Sequence, residues 1–150
     1  MLKNIPAFVS PDLIYALNII GHGSRIMVCD ANCDFNTIGH DRCYKVRLDG
    51  IRGPEVVKAI LDLIPLDDYI EDPIRLSTPE DGRPIPPCFE KYDKVFLESE
   101  EAARFPHLKQ IPRYEDADFW REAKPIDLVI ATGETDPYGN IFIQKGVIIK

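Results

Sequence analysis

Proline limits what this chain can fold into more than any other residue. There are 13 in 150 residues, about 9% against an average near 5%. Each removes a backbone donor and clashes with a helix interior. The excess therefore points to ordered loops around a core rather than to long helices. Between the prolines, two apolar rhythms alternate. Ser10-Pro11-Asp12 reads as an N-cap, a first-turn proline and an early carboxylate. Leu13, Leu17 and Ile20 follow on one helical face, and Gly21 is placed to end that helix. RIMVCD at 25–30 then reads as a short buried strand, and YKVRLD at 44–49 as a second.

Pro54 fits the first turn of another helix, with Val57, Ile60, Leu61 and Ile64 as its apolar face and Pro65 as its stop. PIRLS at 73–77 reads as a strand, and PEDGRPIPP at 79–87 as loop. A third helix is expected from about Pro87, burying Phe89, Tyr92, Val95 and Phe96. Residues 108–113 read as a strand and 115–124 as a short helix carrying Phe119 and Trp120. IDLVIAT at 126–132 and NIFIQKGVIIK at 140–150 complete the pattern as strands. Helices set between strands argue for an α/β layered sheet. An antiparallel pairing of the last two strands would make that sheet mixed. The length is that of a single domain over 1–150.

Composition excludes several classes. A hydrophobic share of 45% with 29% charged residues is that of an ordinary soluble globular domain. A net charge of -7 without a basic patch argues against nucleic acid and against an anionic bilayer as partners. The first twenty residues are broken by Pro6, Pro11 and Asp12, so neither a signal peptide nor a membrane span is expected. A cytoplasmic location follows as the expectation, with Cys29, Cys33, Cys43 and Cys88 as reduced thiols.

Three segments concentrate polar groups at the ends of apolar runs. In GHGSRIMVCDA at 21–31, His22 lies between two glycines and Asp30 ends the strand. Strand ends aim side chains at crevices, and imidazole, which titrates near neutrality, suits proton transfer. The same two residues also fit structural roles, at a helix C-terminus and as a turn cap. TGETDPYGN at 132–140 is either a turn or a polar rim carrying Tyr138 and Asn140. The third, DANCDFNTIGHDRC at 30–43, offers Cys33, His40 and Cys43, with Cys29 just before it, as zinc ligands. Their spacing departs from the separated pairs of structural zinc sites. Buried small hydrophobes for Cys29 and Cys43 and a loop residue for Cys33 are the reading taken. Phe119 and Trp120 read as core or subunit contact. No phosphate loop and no nucleophile elbow is present, so neither metal nor cofactor is expected.

These segments carry a resemblance. GHG with Asp30-Ala31 eight residues on, LDG at 48–50 before a helix ending LIPLDDY, and TGETDPYGNIFIQKGV at 132–147 resemble the fucose mutarotase and ribose pyranase family over nearly the whole length, and the fucose branch more closely. The resemblance implies a three-layer α/β/α fold and a cofactor-free isomerase that interconverts the anomers of a monosaccharide, L-fucose or a related sugar. It also implies ring-like homo-oligomers with the sugar site near a subunit boundary. Carried over by position, His22 is the acid–base residue, while Asp30, Tyr138, Gly139 through its backbone, and Asn140 contact the sugar. The family's basic contact before the short helix falls on Asp116 without gaps, or on Arg113 with a small insertion. A non-catalytic sugar-binding module with the same pocket is the alternative.

Overall fold

The computed structural model describes residues 2–80 and 82–149. Met1, Asp81 of the expected 79–87 loop and Lys150 of the expected last strand lie outside them. The first helix, α1 (Pro11–Ile19), opens as its sequence dictates: the Ser10 side chain accepts the Leu13 N–H and Pro11 takes the first turn. Its far end differs from expectation. The chain leaves through an extended Ile20, and the left-handed glycine is Gly23 (φ 77°), not Gly21. The carbonyls that a helix end leaves open are met by Lys145, whose ammonium donates to Leu17 O and Ile20 O. Burial there lowers the Lys145 pKa.

The remaining elements are β1 (Arg25–Cys29), β2 (Tyr44–Leu48), α2 (Gly53–Leu61), β3 (Ile74–Thr78), α3 (Cys88–Leu97), a 3-10 helix at Glu100–Arg104, β4 (Arg113–Glu115), α4 (Asp116–Ala123), β5 (Leu128–Thr132) and β6 (Ile141–Gln144). The strands form one sheet in the order β2-β5-β1-β6-β3-β4. β5 runs parallel to both β1 and β2, and β3 parallel to β4. β6 is antiparallel to both of its neighbours, β1 and β3. Among the described residues five strands thus point one way and β6 alone the other. The sheet is mixed as expected, but not through a pairing of the last two strands. β1 lies between them, which makes 133–140 a crossover and not a hairpin.

Strand periodicity builds the layers. Ile26 and Val28 of β1, Leu128 and Ile130 of β5, and Ile141 and Ile143 of β6 join the core made by α1, α2 and α3. Their alternates Met27, Cys29, Val129 and Phe142 pack on the opposite face against Phe119 and Ala123 of α4. Helices on one face and α4 with the 31–43 loop on the other give three layers.

Two expected strands are shorter or shifted. Leu108 and Ile111 pack on the core from an irregular segment, because Pro112 has no N–H to give a ladder and offers only its carbonyl to Leu76. Pairing starts at Arg113. The last strand stops at Gln144, since Gly146 passes so close to Leu66 that a Cβ would lie 2.3 Å from its carbonyl oxygen. Ile148 and Ile149 beyond it are exposed.

Candidate functional site

The common direction of five strands brings their C-terminal ends, and the start of β6, to one edge of the sheet. Asp30 follows β1, Ser77 lies at the end of β3, Asp116 follows β4 and Asn140 precedes β6. Crevices outside strand C-termini are the usual ligand sites of such sheets. Here a cavity of about 360 Å³ is walled by Asp30, Asp34, Asp116, Trp120, Tyr138 and Asn140, with Cys33 and Ile38 of the 31–43 loop beside them.

Asp30 and Asn140 lock each other at its floor. The Asp30 N–H donates to Asn140 Oδ1 at 3.0 Å, and Asn140 Nδ2 donates back to Asp30 Oδ2 at 3.3 Å. The same carboxylate accepts the Asn32 N–H at 2.8 Å and the Gly139 N–H at 3.2 Å. Burial raises the Asp30 pKa, the N–H groups of Asn32, Gly139 and Cys33 pull it back, and the nearby Glu134 adds to the rise. Asp30 is therefore at once a turn cap and a wall of the cavity.

The crossover that presents Tyr138 is held from behind. The buried Glu134 accepts the Thr135 and Asp136 N–H groups and an ion pair from Arg52 at 2.9 Å. Asp136 Oδ2 accepts the Cys88 N–H at the start of α3. Burial, with Glu134 and Asp136 nearby, pushes the Cys88 thiol up to about 12. Tyr138 is held at φ 59°, an unusual backbone for a residue with a side chain. Gly139 sits behind the wall rather than on it. Its N–H goes to Asp30, its carbonyl accepts the Tyr92 hydroxyl at 2.8 Å, and a Cβ there would lie 2.9 Å from Asp136 O.

Of the two positions offered for the family's basic contact, Asp116 is the one on the cavity. Its Oδ1 accepts the Ser77 hydroxyl at 2.5 Å and the Trp120 indole N–H at 3.1 Å. Arg113 instead pairs with Asp93 and stacks over Phe89. Phe119 is buried in the core, and Trp120, one residue on, packs half-buried against the same cluster while also forming part of the cavity wall.

His22 stands apart. It precedes β1 whereas Asp30 follows it, and the strand alone spans roughly 13 Å at about 3.3 Å per residue. Within one chain His22 faces a different, mainly apolar cavity of about 480 Å³, beside Leu17, Leu63 and Pro65. Its Nε2 lies 3.1 Å from Asp67 Oδ1, and its ring lies 5.1 Å from that of Tyr69. Burial pushes the Asp67 carboxyl up, but hydrogen bonds from Gln144, the Tyr69 N–H and His22 outweigh it and hold the pKa below the ordinary value. Asp67 was singled out from the sequence only as part of LIPLDDY. The available signal was a pair of carboxylates just past a proline-stopped helix.

The zinc quartet is not assembled: His40 Nε2 meets Asp127 at 3.1 Å, and no group of three or more His, Cys, Asp or Glu among the described residues is arranged to hold a metal ion. No helix among them is long and apolar enough to cross a membrane.

Residues 3–148 match the model of the RbsD / FucU transport protein family. The human protein named fucose mutarotase is 36% identical over 152 residues, covering 98% of this chain and 94% of its own length. Among solved structures, the fucose mutarotase from Streptococcus pneumoniae, in complex with L-fucose, superposes with a TM-score of 0.83 at 33% identity, covering 99% of this chain and 100% of that one. FucU from Bifidobacterium longum does so at 0.84 and 33%, covering 97% and 100%. A match along nearly the whole chain, in sequence and in strand arrangement together, makes this protein a member of the RbsD / FucU family.

Proposed function

We propose that this chain is a monosaccharide mutarotase that interconverts the anomers of free L-fucose or a closely related sugar. The observation that carries the reading is the cavity at the strand ends. It places carboxylate, amide and tyrosine groups around a space of sugar size, in a chain whose relatives are named fucose mutarotases.

Anomer exchange requires the hemiacetal to open and reclose. A proton is delivered to the ring oxygen, the bond from that oxygen to the anomeric carbon breaks, and the anomeric hydroxyl loses its proton as the carbonyl forms. Closure on the other face reverses each step, so no electrons or leaving groups are exchanged with a cofactor. In this reading Asp30, Asp116, Tyr138 and Asn140 hold the sugar hydroxyls, and Gly139 contributes through its N–H to the Asp30 carboxylate. A hydroxyl left without its partner in such a pocket is costly, which fixes the orientation of the sugar.

His22 is the proton donor and acceptor. With Nε2 on Asp67, Nδ1 has no partner among the described residues and is the nitrogen available to the sugar. Because His22 and Asp30 lie at opposite ends of β1, the site is completed between copies. In a ring-like homo-oligomer, one copy's His22 edge closes over the next copy's Asp30 cavity. A reducing cytoplasmic setting suits the four cysteines, all free thiols.

The test is anomer exchange followed by saturation-transfer NMR on L-fucose and D-ribose, with His22→Ala as control. Exchange above the buffer rate that disappears in the variant, while sugar still binds, is the expected result. Sugar binding without faster exchange in the native protein would reduce it to a binding module. Weaker binding in the variant, with exchange per bound sugar unchanged, would remove His22 from its role.

A further inference from the structure

The 31–43 loop does more than border the sugar cavity. It carries no helix or strand, yet it is fastened at both ends of the sheet. At the Asp30 end the Ala31 N–H donates to Glu134 O, and at the other the Tyr44 N–H donates to Asp127 O. His40 adds a third fastening, with Nε2 on Asp127 and Nδ1 accepting the Arg42 N–H. Between this loop and α4 lies a second cavity, of about 650 Å³, within the roughly 300–1,000 Å³ of small-molecule sites.

The two cavities share Ile38 and Trp120 as a common wall. The indole is held in that position by its bond to Asp116, so it presents surface to both. Beyond it the second cavity is lined by the His40 ring, Pro125, Ile126 and Lys124. Both His40 nitrogens are committed to the protein, which leaves its ring face. Flat faces beside the Lys124 ammonium, which has no side-chain partner among the described residues, suit the C–H faces and scattered hydroxyls of a pyranose ring.

We propose that this cavity is a subsite for a second sugar ring, so that the protein takes reducing disaccharides whose reducing-end residue sits in the Asp30 cavity. The inference rests on the mutarotase reading for the orientation of its ligand. Ring opening needs a free anomeric hydroxyl, so the second ring must be joined through one of the other hydroxyls of the reducing residue.

Trp120 is the single tryptophan of the chain, so its fluorescence reports directly from the shared wall. The experiment titrates the native protein with L-fucose and with galactopyranosyl-L-fucose linkage isomers bearing a free reducing end. Anomer exchange is measured on the same samples. The expected result is a Kd at least tenfold lower for one isomer than for L-fucose. Lys124→Phe, which fills the second cavity and adds no tryptophan, abolishes that preference and leaves L-fucose binding and exchange unchanged. His40→Ala, which removes one ring face, weakens the preference and serves if Lys124→Phe does not fold.

If every disaccharide binds no more tightly than L-fucose while L-fucose exchange is accelerated, the subsite is wrong and the mutarotase reading stands. A disaccharide preference without accelerated exchange of either sugar leaves the subsite and removes the mutarotase. A preference that survives both variants would place the second ring elsewhere and overturn the assignment.

Discussion

The two ends of β1 hold complementary halves of a chemistry. At the C-terminal end, Asp30 and Asn140 spend most of their hydrogen bonds on each other and on the backbone behind them, which makes a stiff, acceptor-rich cavity with no titrating imidazole on its wall. At the N-terminal end, His22 is fixed by Asp67 through one nitrogen, with its side chain 42% exposed, beside a cavity lined mostly by aliphatic residues. One end can recognise and the other can move a proton. The lesson is that one strand can hold two polar groupings at its opposite ends and keep them apart; under the proposed mutarotase reading, assembly would then become part of catalysis.

The sharpest way to break this comparison is to remove one half at a time. His22→Ala is expected to slow L-fucose exchange by about 10²–10⁴-fold, the usual worth of a general acid–base group, while Kd by NMR titration stays within about threefold. Asp30→Ala is expected to lose binding. Neither is active alone, but co-refolding the two in equal amounts is expected to regain about a quarter of native exchange, since one interface in four then holds both intact halves. No recovery would put both halves of a working site in one chain.

A smaller effect is expected from Asp67→Asn, which keeps the shape but loses the ionised partner of His22. Exchange should fall about tenfold, in the range typical of a group that orients a reacting one. The pH dependence carries a sign. The Asp67 pKa is lowered in the folded state, so its contribution to stability is present above the ordinary carboxylate pKa of about 4. It is lost as pH falls through the depressed folded value. Thermal melts below about pH 4 should therefore separate native protein and variant less than melts at pH 7 do.

Next comes Gly139→Ala, whose added Cβ would meet Asp136 O and Glu134 Cγ. Destabilisation of about 1–3 kcal/mol is expected in urea unfolding. KM should rise more than kcat falls, because the Asp30 lock shifts with it. Asp116→Asn is the mildest, expected to raise KM a few-fold. It leaves the bonds from Ser77 and Trp120 an oxygen to use.

What could be read from the sequence was what neighbouring residues decide. Ser10 and Pro11 announce α1, and the unbroken apolar run in RIMVC announces a strand buried on both faces. That Asp30, Tyr138 and Asn140 share one cavity was implied by the family resemblance alone, since local signals fitted a turn cap and a turn equally well. Most of the failures are long-range. That Lys145 closes α1, that Arg113 is claimed by Asp93, and that Asp67 pairs with His22 depends on which segments the sheet brings together. Phe119 and Trp120 both pack on the second core cluster, but periodicity over eight residues is too short to show that Trp120 also walls the cavity.

The lone antiparallel strand has a consequence for synthesis. β6 is made after every other strand, yet it is inserted between β1 and β3, the first and third to leave the ribosome. Until it emerges, β2-β5-β1 and β3-β4 are separate ribbons with open edges facing each other across an empty lane. Such edges invite pairing with other chains. The two ribbons therefore become one sheet only when β6 is in place, and a chain cut before residue 141 is the form expected to aggregate most readily.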